Sequence, residues 1–167
     1  MPFTPFHWGP MVLVLGLLSF LDPIGLFIGC VIPDVEGVFA LVTGHGPLHG
    51  PFHSILGAFF LAILTSIGSQ LFWYFLRWSK IEIPFFPEPN SKIIVCSAFI
   101  GSFSHILLDA FLYSEMNLLW PLPSFNPLYG LLSSPFIYNF CVICGILGII
   151  LLFWKLWKES INSTSKS

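Results

Sequence analysis

The chain has very little charge. Of its 167 residues only 8% are Asp, Glu, Lys or Arg, while 56% are apolar. A soluble domain carries about a quarter charged residues to cover its surface, so this composition suits a hydrocarbon solvent instead. The net charge is −2 and the six basic residues form no stripe, which excludes nucleic acid as a partner. No Lys or Arg occurs in the first ten residues. The positive n-region of a secretory signal is therefore missing, and the first apolar stretch is expected to persist. Cysteine is also scarce: Cys30, Cys96, Cys141 and Cys144 all lie inside apolar runs. Cys141 and Cys144 have CxxC spacing but lack the second pair and polar setting of a zinc ribbon, and read as small packing residues.

What the chain does have is long apolar segments. Residues 53–79, 92–113 and 136–157 each exceed the hydrocarbon core of about 30 Å at roughly 1.5 Å per helical residue. Trp73, Tyr74, Trp78, Trp154 and Trp157 fall near their ends, as interface anchors do. The expected fold is all-α, a polytopic membrane helical bundle of three full spans plus an N-terminal helical hairpin or kinked span. Asp22-Pro23 interrupts the N-terminal apolar run, and a proline disfavours helix in the residue before it. That favours a hairpin turning at residues 21–23 over one kinked span. Residues 1–158 read as one membrane-embedded domain, and residues 159–167 as a short disordered tail.

Arg77 and Lys80 follow the first long segment, Lys92 opens the second, and Lys155 and Lys158 close the third. Alternating spans put all five on one side, while residues 33–52 and 114–135 hold no Lys or Arg. The positive-inside rule then predicts a multi-pass cell-membrane protein with residues 80–91 and the C-terminus in the cytoplasm. The sequon at Asn162 falls in that tail and carries no meaning. Pro84, Pro87 and Pro89 stiffen the cytoplasmic loop.

Against this background the ionisable residues stand out. His105 and Asp109, spaced i, i+4 inside the second long segment, share one helix face. They lie about 18 and 24 Å along it from the cytoplasmic end, in the outer half of the bilayer. A buried pair of this kind can simply hydrogen-bond within the bundle, but other groups converge on the same side. His53 opens the first long segment, His45 and His49 precede it, and Asp34 and Glu36 end the N-terminal hairpin, whose turn would also return His7 to that face. Imidazole and carboxylate are ligands for zinc and similar divalent ions, and a dication offsets carboxylate charge in a low dielectric. The candidate metal ligands are His7, Asp34, His49, His53, His105 and Asp109, with zinc the first choice of ion. His45 reads equally well as a solvated loop residue. Pro47 and Pro51 argue against a continuous helix through His45, His49 and His53.

At these residues the chain resembles the YdjM-like family of inner-membrane-associated metal-dependent hydrolases. The resemblance rests on His7, Pro33-Asp34-Val35-Glu36, the run from His49 to His53-Ser54, Ser104-His105 through Asp109, and Leu119-Trp120-Pro121. That family looks distantly similar to zinc-dependent phospholipase C and single-strand-specific nucleases. The likeness implies that His7, Asp34, His53, His105 and Asp109 are the most transferable ligands. Two positions depart from the pattern: Gly50 stands where many members have arginine, and Glu36 replaces the second aspartate. Without that arginine, one phosphate-binding group is missing.

The expected function is membrane-embedded, metal-dependent hydrolysis of an amphiphilic ester, a lipid phosphoester foremost, with membrane lipid as partner. Glu36 is the candidate general base, or a further ligand. A metal or proton transporter using the same cluster is the rival, and a pathway would need polar groups at more than one depth. A non-catalytic protein with a closed structural metal site is the third reading.

Overall fold

The computed structural model describes residues 5–83, 86, 88–122 and 126–164. Pro84, Pro87 and the last three residues of the 159–167 tail, which entered the sequence reading, lie outside the described residues. All regular structure among the described residues is helical: α1 (Pro5–Leu17), α2 (Pro23–Gly29), α3 (Asp34–Thr43), α4 (Ile55–Trp78), α5 (Ser91–Leu112) and α6 (Ser134–Thr164), with one 3₁₀ turn at Pro51–His53. Helices α4, α5 and α6 are long and apolar enough to span a membrane, and α2 with α3 passes the same test as one span bent by 44°.

Local chemistry sets the helix starts. The Ser54 hydroxyl accepts the Gly57 N–H at 3.0 Å and Asn90 Oδ1 accepts the Ile93 N–H at 3.0 Å, each satisfying an orphan donor of a first turn. Ser54 is extended, so His53 belongs to the 3₁₀ turn before α4 rather than to its first turn. Pro51 opens that turn, and its ring cannot continue a helix backwards. At the other end α6 runs to Thr164, six residues past the expected limit at 158. Lys155 and Glu159 have the i, i+4 spacing that supports such an extension, and propagation from a long helix is cheap.

The N-terminal segment is a hairpin. Cys30 Sγ lies 3.3 Å from the His7 carbonyl, so the chain after α2 has returned to the depth at which α1 began. Asp22 makes the turn and is fully buried. Its carboxylate caps α2 by accepting the Ile24 and Gly25 N–H groups, at 3.2 and 2.8 Å. It also accepts the Ser69 hydroxyl and, at 2.8 Å, Trp73 Nε1–H, both from α4. The Asp22 N–H donates to Ser97 Oγ of α5 at 2.9 Å. A carboxylate unpaired at this depth would be expensive; here donors from α2 and α4 surround it.

Close helix approach depends on glycine. A Cβ on Gly9 would strike the Cys141 carbonyl, and one on Gly148 would strike the backbone of Val12 and Leu13, so α1 and α6 pack backbone to backbone. Gly29 and Gly101 do the same for α2 against α5. Lipid offers no hydrophobic drive between spans, and small residues restore it as van der Waals contact.

Candidate metal centre

Four side chains from three elements meet at the end of the bundle where α4 begins and α5 ends. Asp34 comes from the first turn of α3, His53 from the 3₁₀ turn, and His105 and Asp109 from the last two turns of α5. One ligand atom from each lies within 4.8 Å of all the others. His105 Nε2 is 3.1 Å from Asp109 Oδ2 and 3.4 Å from Asp34 Oδ1; His53 Nε2 is 3.9 and 3.7 Å from the same two oxygens. Ligands at zinc bond lengths of about 2.1 Å stand roughly 3.4 Å apart in a tetrahedron, and the observed separations bracket that value.

The hydrogen bonds behind these atoms fix which way they face. His105 Nδ1–H donates to the Cys30 carbonyl at 2.7 Å. That carbonyl is available because the chain bends between α2 and α3, where the Asp34 N–H turns to Val31 rather than continuing an α-helical ladder. His53 Nδ1–H donates to Glu36 Oε2 at 3.2 Å. A carbonyl or carboxylate can only accept, so both rings carry their proton on Nδ1 and aim a lone pair on Nε2 at the common point.

His53 Nε2, His105 Nε2 and Asp109 Oδ2 are buried with no hydrogen-bond partner. Each such atom costs about 1–3 kcal/mol, and three converging on one point fit a cation that accepts all their lone pairs. The donor set of two imidazoles and two carboxylates fits a divalent ion such as zinc. His53 shows the same preference. Burial alone would lower its pKa, but the neighbouring Asp34 and Glu36 carboxylates outweigh burial and hold it above its ordinary value. The position favours positive charge.

The remaining sequence candidates fall into place around this group. His7 stands one layer out: its Nε2–H donates to Asp109 Oδ1 at 3.0 Å and its ring stacks on His105 at 4.4 Å. It orients the Asp109 carboxylate, whose Oδ2 then faces the common point. Glu36 also accepts the Gly50 and Phe52 N–H groups at 2.9 and 3.1 Å, so it organises the histidine loop as well as His53. His49 is buried outside the four-residue group, donating from Nδ1 to Glu115 at 3.0 Å and stacked on Tyr113 at 4.0 Å. Burial, with His53 nearby, lowers its pKa. His45 is exposed and donates to the Thr43 carbonyl at 2.7 Å, outside the cluster.

Sequence reasoning missed the Cys30 carbonyl and Glu115. Pro33 three residues after Cys30 was a sign that a carbonyl there would go unused by the helix, whereas nothing local pairs Glu115 with His49. It also missed how the serines of α4 and α5 turn inward. Thr65, Ser66, Ser69, Ser97 and Ser102 are all buried, giving the bundle polar groups at a second depth around Asp22.

No curated protein and no solved structure matches the chain. A family model described as YdjM inner membrane protein matches residues 4–163. With that match spanning nearly the whole chain, and with three to four candidate spans in the fold, this multi-pass membrane protein belongs to the YdjM inner membrane protein family.

Proposed function

We propose that the protein is a membrane-embedded, metal-dependent hydrolase of an amphiphilic ester, a lipid phosphoester foremost. The observation that carries this reading is the convergence of three buried, unpartnered ligand atoms with Asp34 at one end of the bundle. Asp34, His53, His105 and Asp109 would hold the ion, zinc by donor chemistry. A divalent ion so held supplies Lewis-acid chemistry, activating water and polarising a phosphoryl or carbonyl oxygen. Cys30, Glu36 and His7 keep the ligands aimed. Glu36 and Asp34 are the partly exposed acids of the site, at 15% and 18%, which supports Glu36 as the candidate proton acceptor. A distant likeness of the YdjM-like family to phospholipase C-like and nuclease families would point to the same chemistry, and Gly50 in the place of arginine weakens the phosphate side of it.

The positive-inside rule supports a cytoplasmic C-terminus, with the cluster in the outer leaflet. A transporter reading draws on the second polar depth around Asp22. Against it, the Asp22 carboxylate already accepts four hydrogen bonds and serves as an anchor rather than a station for passing ions. The test gives purified, metal-loaded protein a panel of lipids and soluble phosphodiesters, with chelated protein as control. Metal-dependent release of a head group or acyl chain is the expected result. Metal flux into liposomes without cleavage of any ester would replace this reading with transport.

A further inference from the structure

The metal centre is closed at its loop end. His49 is buried against Tyr113, Gly50 and Phe52 are tied to Glu36, and Met116 and Leu118 pack against Ala58 and Ala110. The Leu118 carbonyl accepts the Ile55 N–H at 3.0 Å, pinning that plug to the start of α4. Of the four donors only Asp34 reaches the surface, at 18% against 0–1% for the others. On α3 its neighbour at i+4 is Val38, and Val35, Val38, Phe39 and Val42 are all exposed. Asp34 therefore opens onto an apolar helix flank.

That flank suits a lipid-facing surface, because α2 and α3 together are apolar and long enough to form a broken span or a re-entrant loop. Charge argues the same way. Arg77, Lys80, Lys92, Lys155 and Lys158 all sit at the opposite end, while Asp34, Glu36, Asp109 and Glu115 surround the site. Nothing among the described residues steers a water-soluble anionic ester inward.

We infer that the substrate enters sideways from the bilayer along α3, with a lipid acyl chain packed on Val35, Val38 and Phe39 as its ester passes Asp34. This rests on the hydrolase reading and specifies its substrate as a bilayer-resident lipid. Acyl chains on the α3 flank also explain why a helix with so little apolar burial keeps so apolar a surface.

Two measurements on the full chain in phosphatidylethanolamine–phosphatidylglycerol nanodiscs test it. Benzoylphenylalanine in place of Val38 or Phe39 should crosslink to lipid, and Phe39→Cys should resist an impermeant maleimide that labels Leu48→Cys. Rapid labelling of Phe39→Cys, or crosslinks to a second copy of the chain instead of lipid, would overturn the inference. The second measurement compares two esters of one head group, a long-chain form in the bilayer and a short-chain form in solution. Val38→Asn with Phe39→Asn should lower long-chain turnover about tenfold more than short-chain turnover. Equal loss on both overturns it. If the native protein cleaves neither ester, the hydrolase reading fails and the crosslinking result alone decides whether lipid lies along α3.

Discussion

Glu36 Oε2 and His53 Nδ1 meet at 3.2 Å, and this contact decides which nitrogen of His53 faces the candidate metal centre. The same oxygen accepts the backbone N–H groups of Gly50 and Phe52, so one carboxylate orients a ligand and holds its loop. Outer partners of this kind tune affinity without touching the ion. Glu36→Ala should weaken metal binding about 10–100-fold, and Glu36→Gln, which keeps an acceptor oxygen, should weaken it less. Competitive metal titration of the purified variants is the measurement. Identical affinity in Glu36→Ala and native protein would remove Glu36 from the site.

His105→Ala and Asp109→Ala should each abolish tight metal binding while leaving helix content unchanged. Both side chains are fully buried and each contributes an unpartnered ligand atom. His45→Ala should bind as the native protein does, because His45 is exposed and bonds only within its own loop. Elemental analysis beside circular dichroism distinguishes the cases. Unchanged stoichiometry in both α5 variants would end the metal reading.

The legible part of this site was its spacing. His105 and Asp109 share a face because helical periodicity demands it, and the three long spans follow from apolar length alone. The hairpin was readable from Asp22-Pro23, since proline penalises helix just before it. What the sequence could not reveal depends on partners distant along the chain. Cys30 offers a backbone carbonyl to His105, and Asp22 collects Ser69, Trp73 and Ser97 from two spans. Pro33 hints at the free Cys30 carbonyl but not at its partner, no local pattern encodes the Asp22 network, and nothing near His7 in the sequence reveals its hydrogen bond to Asp109.

Asp22→Ala should destabilise the bundle by about 2–4 kcal/mol. The change strands Trp73 Nε1–H and the capped N–H groups of α2 in an apolar interior. Thermal unfolding in detergent should show a clear fall in midpoint. The fraction that stays folded should bind metal with native stoichiometry, since none of the four donors bonds to Asp22. A midpoint within a degree or so of native, on the scale where 1 kcal/mol moves it by about 2–4 °C, would show that the network contributes little.

Gly9→Val should separate α1 from α6, because its Cβ would overlap the Cys141 carbonyl. Overpacking of this kind costs about 1–3 kcal/mol, and backbone cannot step aside as a flexible side chain would. Gly68→Ala is the control, as its Cβ would meet nothing within 4 Å. Comparable loss of stability in both variants would mean that glycine close approach is unimportant here.

Cysteine accessibility tests the orientation. In a background lacking the native cysteines, Leu131→Cys should react with an impermeant reagent added to intact cells, and Ile81→Cys should react only after lysis. Both positions are exposed beyond the ends of the spans. The reverse pattern would invert the protein in the membrane.

The pairing of α1 with α6 has a consequence for how the protein is made. Helix α1 is synthesised before α6, yet the surface into which Gly9 and Gly16 fit belongs to α6. His7, which orients Asp109, sits on that waiting helix. A chain cut before Ser134 would keep all four donors of the candidate site but leave α1, and His7 with it, without the helix on which α1 packs.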